Sequence, residues 1–309
     1  MRGHNRTVIK GVPNHCYQNT IDGYLLFYTV SDYLVFYTAF CLEAVRCDVR
    51  LLTLCLMPDH FHFTAIADNA DKLSSLVGLS TKRYATEFNT LCGTKGSLFK
   101  SPYGSVPKIG DKNIRTNIIY VYNNPSERKL TAFAEKYRWN SIAYAKSNHP
   151  FSEPIVLNKA SSSLRRCLKT VDYLHKTGKH LNYEALKRMF GALDKRESDQ
   201  LTDYIVCKYS VVDHEEAIRY FGGYENMITA IHSTTGSEHD INEVFVGQRD
   251  DCYVRMTNLI LKDEGIKDIH SVLSLPESEK YKLYNRLKGR TSATARQIAK
   301  FLHLPTRKA

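Results

Sequence analysis

The chain has no CxxC pair: its eight cysteines, at 16, 41, 47, 55, 92, 167, 207 and 252, stand far apart. A local zinc site therefore cannot be assembled, and nothing marks an oxidising compartment. Reduced, mostly buried thiols are expected. No GxxxxGK[ST] loop occurs, which excludes a P-loop nucleotide site. No stretch approaches the roughly 18 to 20 unbroken apolar residues of a membrane span. The richest window, Tyr24 to Val45, is broken by Ser31, Asp32 and Glu43 and reads as a buried strand or an amphipathic helix. The opening residues MRGHNRTVIKG hold no apolar core of a secretory signal, so a cytoplasmic protein without a membrane partner is expected. Internal repeats and low-complexity tracts are absent as well.

Acidic residues are missing where basic ones gather. The formal net charge is +11, and from Lys280 to the C-terminus there are nine Lys/Arg and no Asp or Glu. Between Lys159 and Arg196 ten Lys/Arg face three acids. Such blocks often form solvated helix faces, but an acid-free end in a basic protein points toward a polyanionic partner.

At 309 residues the chain is about twice a usual domain. Residues 1–147 read as one α/β unit. Thr7 to Cys16 and Val49 to Ala67 have strand character, the latter as a bent strand or a hairpin about Pro58-Asp59. Asp71 to Leu91 and Asp111 to Asn123 have helical spacing, and Pro125 is expected to stop the second helix. Residues 148–163, with two prolines and four serines, have linker composition. Residues 164–309 are mainly helical in pattern. Near 285–305 two helices about a short turn follow helix-turn-helix grammar, with a Ser/Thr cluster able to cap the second.

Two short patterns carry chemistry. In Leu56-Met57-Pro58-Asp59-His60-Phe61-His62-Phe63 an extended strand would put His60 and His62 on one face and Phe61 in the core. Two imidazoles side by side form half of a divalent-metal site. In Tyr120-Val121-Tyr122-Asn123-Asn124-Pro125 a helix puts Tyr120 and Asn124 on one face and Tyr122 on another. A phenol beside a carboxamide oxygen, the latter as third metal ligand, becomes a usable nucleophile at a phosphodiester. A phenol ionises near pH 10 as a model compound and is weak without such help. Tyr122 stays open as a rival.

Together, LMPDHFHF, GSLFK (Gly96 to Lys100), YVYNNP (Tyr120 to Pro125) and YRWNS (Tyr137 to Ser141) resemble the Y1 transposase family of HUH endonucleases. The likeness is to its IS200/IS605-like, REP-associated tyrosine transposase branch, over residues 5 to 145. The resemblance implies an α+β catalytic unit: a ferredoxin-like or RRM-like antiparallel sheet with flanking helices and the histidines on a central strand. It places the metal ligands on His60, His62 and Asn124 and the nucleophile on Tyr120. It implies Mg²⁺ or Mn²⁺ as cofactor, single-stranded or hairpin DNA as partner, and a monomer or homodimer in a prokaryotic cytoplasm, associated with the nucleoid. Asp59, where the family more often has Asn, is expected to serve the turn. Ser101-Pro102-Tyr103 replaces the family's more polar, basic run.

The expected activity is metal-dependent cleavage and rejoining of one DNA strand through a 5′-phosphotyrosine, as a transposase or a domesticated recombinase. The alternative is a catalytically inactive, sequence-specific DNA-binding regulator. An RNA-binding protein and a hydrolase using water are further rivals. DNA contacts are expected from Lys100, Lys108, Lys112, Arg115, Arg128, Lys129 and Arg138, and from Arg290, Arg296 and Lys300 in the helix-turn-helix. Tyr103, Tyr137 and Trp139 are candidates to stack on bases, with Trp139 expected rather in the core.

Overall fold

The computed structural model describes residues 7–234, 250–263 and 265–305. Four strands, β1 (Asn14–Asn19), β2 (Arg50–Met57), β3 (His60–Ile66) and β4 (Gly104–Pro107), form one sheet in the order β2-β3-β1-β4. All three pairings are antiparallel. Helix α1 (Val30–Arg46) links β1 to β2, and α2 (Ala70–Cys92) links β3 to β4. This is the ferredoxin-like βαββαβ arrangement that the sequence led one to expect, followed by a helical C-terminal region.

Particular elements differ from the reading. Strand β1 starts at Asn14 rather than Thr7, because Gly11 at φ 78° and Pro13 turn the chain just before it. The window from Tyr24 holds a helix. Ser31 and Asp32 lie in its first turn, where Thr29 and Asp32 form a reciprocal capping box. Residues 50–66 are a hairpin turning at Pro58-Asp59. Strand β4 had no sequence signal. Gly104 admits it there, since a Cβ would run into the Tyr17 ring on β1. Helix α3 (Asp111–Glu127) runs through Pro125 instead of stopping before it. In the last turn a proline costs only one helical hydrogen bond.

The strand alternation divides the sheet into two faces. On β3, Phe61 and Phe63 pack against Phe36 and Phe40 of α1, with ring centroids 4.7–5.6 Å apart. Helices α1 and α2 seal this apolar face. On the other face Thr53 Oγ1 donates to Thr64 Oγ1 at 2.8 Å, and Thr64 Oγ1 donates to Asn117 Oδ1 at 2.8 Å. That relay pegs α3 to β2 and β3.

Helices α4 (Ser162–Lys176), α5 (Tyr183–Phe190) and α6 (Lys195–Tyr209) share one apolar core with α1. Segment 148–163, expected as a linker, is held to α6: Phe151 N and Ser152 Oγ donate to Asp203, and Ser161 donates to Glu197. Helices α7 (His214–Arg219) and α8 (Tyr224–Thr234) pack near the outer side of α3. A second core joins α9 (Cys252–Asp263), α10 (Glu277–Arg290) and α11 (Ala295–Leu302) to Leu25. Helices α10 and α11 flank a four-residue turn, Thr291 to Thr294, and Thr294 caps α11 as expected. Gln297 through Leu302 are buried, and α11 docks on the N-terminal half, where Leu25 N donates to the Lys300 carbonyl. Among the described residues no helix is long and apolar enough to cross a membrane. All eight cysteines are free thiols, six of them buried.

Candidate active site

The site lies on the sheet face beneath α3. His60 and His62 stand two apart on β3, and the β1 register sets Tyr17 opposite His62 and His15 opposite Thr64. All of these side chains therefore rise on one side of the sheet. His15 Nε2 and His62 Nδ1 are 3.1 Å apart, with the two rings stacked. The His60 and His62 rings meet edge to face at 4.9 Å. Burial holds the His62 imidazole well below its ordinary pKa, and His60 and Arg128 push the same way. His62 is thus a neutral imidazole, the form that a metal binds.

Helix α3 supplies the other half. Asn117, Tyr120 and Asn124 follow at helical spacing, so the Thr64–Asn117 peg also sets where Tyr120 points. The Tyr120 ring meets both His15 and His62 edge-on, each at 5.5 Å between centroids. Asn124 Nδ2 donates to the Tyr120 carbonyl at 3.0 Å, so its carboxamide oxygen is the atom it can offer a ligand. Tyr122 turns away: it is fully buried with its hydroxyl toward the Leu52 carbonyl, and burial pushes its phenol pKa up. The two tyrosines lie on different faces of α3, as helical phasing requires.

Asp59 does more than serve a turn. Its Oδ1 is 2.6 Å from His60 Nδ1, and its Oδ2 accepts from Lys300 Nζ at 3.0 Å. Burial works to raise the Asp59 pKa, but His60, then Lys300 and Arg128, hold it far below the carboxylate range. Nearby, Arg128 pairs with buried Asp250 at 3.6 Å, and burial followed by the Asp59 charge raises the Asp250 carboxyl to about 6.

Among the described residues no three His, Cys, Asp or Glu side chains converge as a ready-made metal cage. The fit for a metal is that of an open half-site: the His60 and His62 imidazoles share a sheet face, and Asn124 on α3 leaves its carboxamide oxygen as a candidate third donor. Each ring is engaged from one side at Nδ1, the arrangement in which an outer partner orients an imidazole to bind through its other nitrogen. Imidazole donors suit Mn²⁺ better than Mg²⁺, which prefers an all-oxygen shell.

The expected DNA-contact residues divide. Lys100 and Lys112 are exposed, as are Arg290 and Arg296. Lys100 borders a groove of about 540 Å³ between α2 and residues 96–103, with Lys82 and Tyr103 also lining it. Lys108 and Arg115 are half-buried, Arg115 donating to the Tyr220 carbonyl at 3.4 Å. Three of the cations have carboxylate partners within the chain. Arg138 is held by Asp199 and Asp203 and lies over the Phe151 ring at 4.9 Å. Arg128 is paired with Asp250, and Lys300 with Asp59. The aromatic candidates are likewise occupied. Tyr103 is buried, Tyr137 Oη donates to the Leu56 carbonyl, and Trp139 stacks on Tyr33 at 4.3 Å.

His15 and Asp250 carry no signal in the sequence analysis, and Lys300 appears there only as a DNA contact, not as a partner of Asp59. His15 was within local reach, because a histidine on a strand antiparallel to an HxH strand shares its face when the register allows. Lys300 lies 241 residues from Asp59, and Asp250 lies more than a hundred from Arg128, beyond any local pattern.

No protein-family model matches this sequence, and no curated protein matches it. Among solved structures the chain is similar to one described as the REP-associated tyrosine transposase bound to a REP hairpin. Identity is 16% and the TM-score 0.40, over 52% of this chain and 98% of that one.

Proposed function

We propose that this chain is a metal-dependent single-strand DNA endonuclease and strand-transferase with Tyr120 as nucleophile, a transposase or a recombinase of that chemistry. The observation that carries the reading is the contact of the Tyr120 ring with both His15 and His62, on the face that also bears His60. A core tyrosine needs no histidine neighbours, and a DNA-binding module has no use for a buried cluster of histidines under a phenol.

His60, His62 and Asn124 would hold a Mg²⁺ or Mn²⁺ ion, and such an ion polarises a scissile phosphate and offsets the charge that develops on it. Tyr120 Oη forms a bond to phosphorus while the bond from phosphorus to the 3′ oxygen breaks. The phenol gives up its proton and the departing 3′ oxygen gains one, so the products are a 5′-phosphotyrosine and a free 3′-OH. One phosphodiester is exchanged for another, so a second 3′-OH can reverse the step on a new strand without ATP. A single tyrosine cuts one strand at a time, which favours single-stranded or hairpin DNA. Lys100 and Lys112, both exposed, are suited to phosphate contacts.

The test is covalent trapping. A labelled single-stranded oligonucleotide incubated with the protein and Mn²⁺ should become attached to it. Tyr120→Phe should abolish the adduct and Tyr122→Phe, if folded, should retain it. An adduct of undiminished yield with Tyr120→Phe would overturn the mechanism. No adduct on any strand, with hairpin binding retained, would leave the inactive DNA-binding regulator.

A further inference from the structure

Lys300 is carried by α11, at the far end of the chain from the catalytic sheet, yet only 7% of it is exposed and its ammonium lies on Asp59 at 3.0 Å. A buried ion pair is poorly explained by stability, because desolvating both charges offsets most of their attraction. The pair has a third member. Asp59 reaches His60 Nδ1 with its other oxygen at 2.6 Å, so ammonium, carboxylate and imidazole form one chain ending on a ring of the site.

The passage for Lys300 is built from both sides. On one side Gly23, at φ 68°, has no side chain, and a Cβ there would stand 2.7 Å from Lys300 Cε. A larger residue at 23 would push the stem away and also strain the backbone. The same segment grips α11: Leu25 N donates to the Lys300 carbonyl at 3.2 Å, and Tyr28 Oη donates to the Phe301 carbonyl at 2.6 Å. On the other side the Pro58-Asp59 turn is tied down, with Thr20 N donating to the Asp59 carbonyl and Leu26 N to the Pro58 carbonyl. Lys300 is thus held at both backbone and tip.

From this geometry we infer that Lys300 is a positioning residue for His60, acting through Asp59, so that the C-terminal helical unit completes the metal half-site. With Lys300 in place both carboxylate oxygens have a partner and the Asp59 plane is set, which sets the His60 ring. Without it Oδ2 is buried and unpaired, and the carboxylate can relieve that only by leaving His60 or admitting water. The inference rests on the metal reading above for its consequence, but the positioning itself can be read without a metal.

The experiment uses the full chain as wild type, Lys300→Met, Asp59→Asn and the double variant, with Mn²⁺ affinity from the electron-spin-resonance signal of the free ion. Each single variant should weaken Mn²⁺ binding by about 10- to 100-fold, the range for losing an outer-shell partner. The double variant should be within about twofold of Asp59→Asn alone, since Lys300 has nothing left to act through. A Lys300→Met affinity within about twofold of wild type, or its full penalty persisting in the Asp59→Asn background, would overturn the inference; the second outcome is what mere undocking of α11 gives.

The imidazole ¹⁵N spectrum of the metal-free protein is the parallel measurement. His60 should show a single tautomer protonated at Nδ1 in wild type and a mixture in Lys300→Met, and an unchanged spectrum overturns the inference. If wild type shows no His62-dependent Mn²⁺ binding, the metal reading fails, and the spectrum alone then decides the positioning role.

Discussion

His62 beneath α3 and His270 at the seam with the C-terminal unit are both nearly inaccessible, yet the protein keeps them in opposite charge states. His62 is surrounded by His15, Tyr17, His60 and Tyr120, and burial drives its pKa down. His270 suffers the same burial, but Asp32 at 2.8 Å and Asp268 at 2.8 Å override it and raise its pKa to about 10. The residue type and the burial are shared, so the neighbours decide. Rings leave an imidazole neutral and able to bind a cation. At His270 a carboxylate on each ring nitrogen leaves the imidazole charged, with neither nitrogen open to a cation. The first environment suits a reaction centre, the second a latch: Asp32 also accepts from Tyr183 Oη and caps α1, so His270 ties the seam to three elements at once.

The sharpest way to break this comparison is at His62. His62→Ala removes a proposed ligand rather than an outer partner, so adduct formation should fall by more than the roughly 100-fold upper range of outer-shell losses. Chelation with EDTA should do the same in wild type, with Mn²⁺ restoring more activity than Mg²⁺ because two donors are imidazoles. Adduct yield that survives both treatments would mean that the buried histidines beneath α3 serve packing alone.

Sequence legibility differs between the two places for a physical reason. The site depends on spacings of two along a strand and four along a helix, so the His60/His62 and Tyr120/Asn124 pairings could be read locally, whereas the four-stranded sheet beneath them followed from the resemblance, β4 having no local pattern. The seam depends on contacts such as Asp32–His270 and Asp59–Lys300, each more than two hundred residues apart. Composition misled there in a specific way. Nine cations in the final 30 residues suggested a basic outer surface, but Lys300 and Lys280 point inward and are buried. A charge count does not distinguish a cation facing solvent from one facing a carboxylate.

The latch makes an intermediate prediction. Asp32→Ala leaves a buried imidazolium short of its main partner and uncaps α1, so unfolding stability should drop by about 3–5 kcal/mol in chemical denaturation. The pH dependence has a definite sign. Because the folded His270 pKa is raised to about 10, its contribution is complete below the unfolded value of about 6.5 and fades as pH rises toward about 10. Across that window His270→Gln should flatten a slope that in wild type approaches about 1.4 kcal/mol per pH unit. His62, held low, adds no such loss on the alkaline side. An unchanged slope in His270→Gln would show that the carboxylates do not hold the ring charged.

The smallest effect separates the two cations of α11. Arg296 is exposed and Lys300 is buried against Asp59, although they sit four apart on one helix. If the exposed edge of α11 meets a phosphate, Arg296→Ala should lower the slope of log affinity against log salt by about 0.7 on a single strand or 0.9 on a duplex. Lys300→Met should leave that slope unchanged while weakening Mn²⁺ binding. A salt slope that shifts with Lys300→Met and not with Arg296→Ala would mean that α11 leaves its dock when DNA binds, and that the seam, unlike the sheet face beneath α3, is rebuilt in the complex.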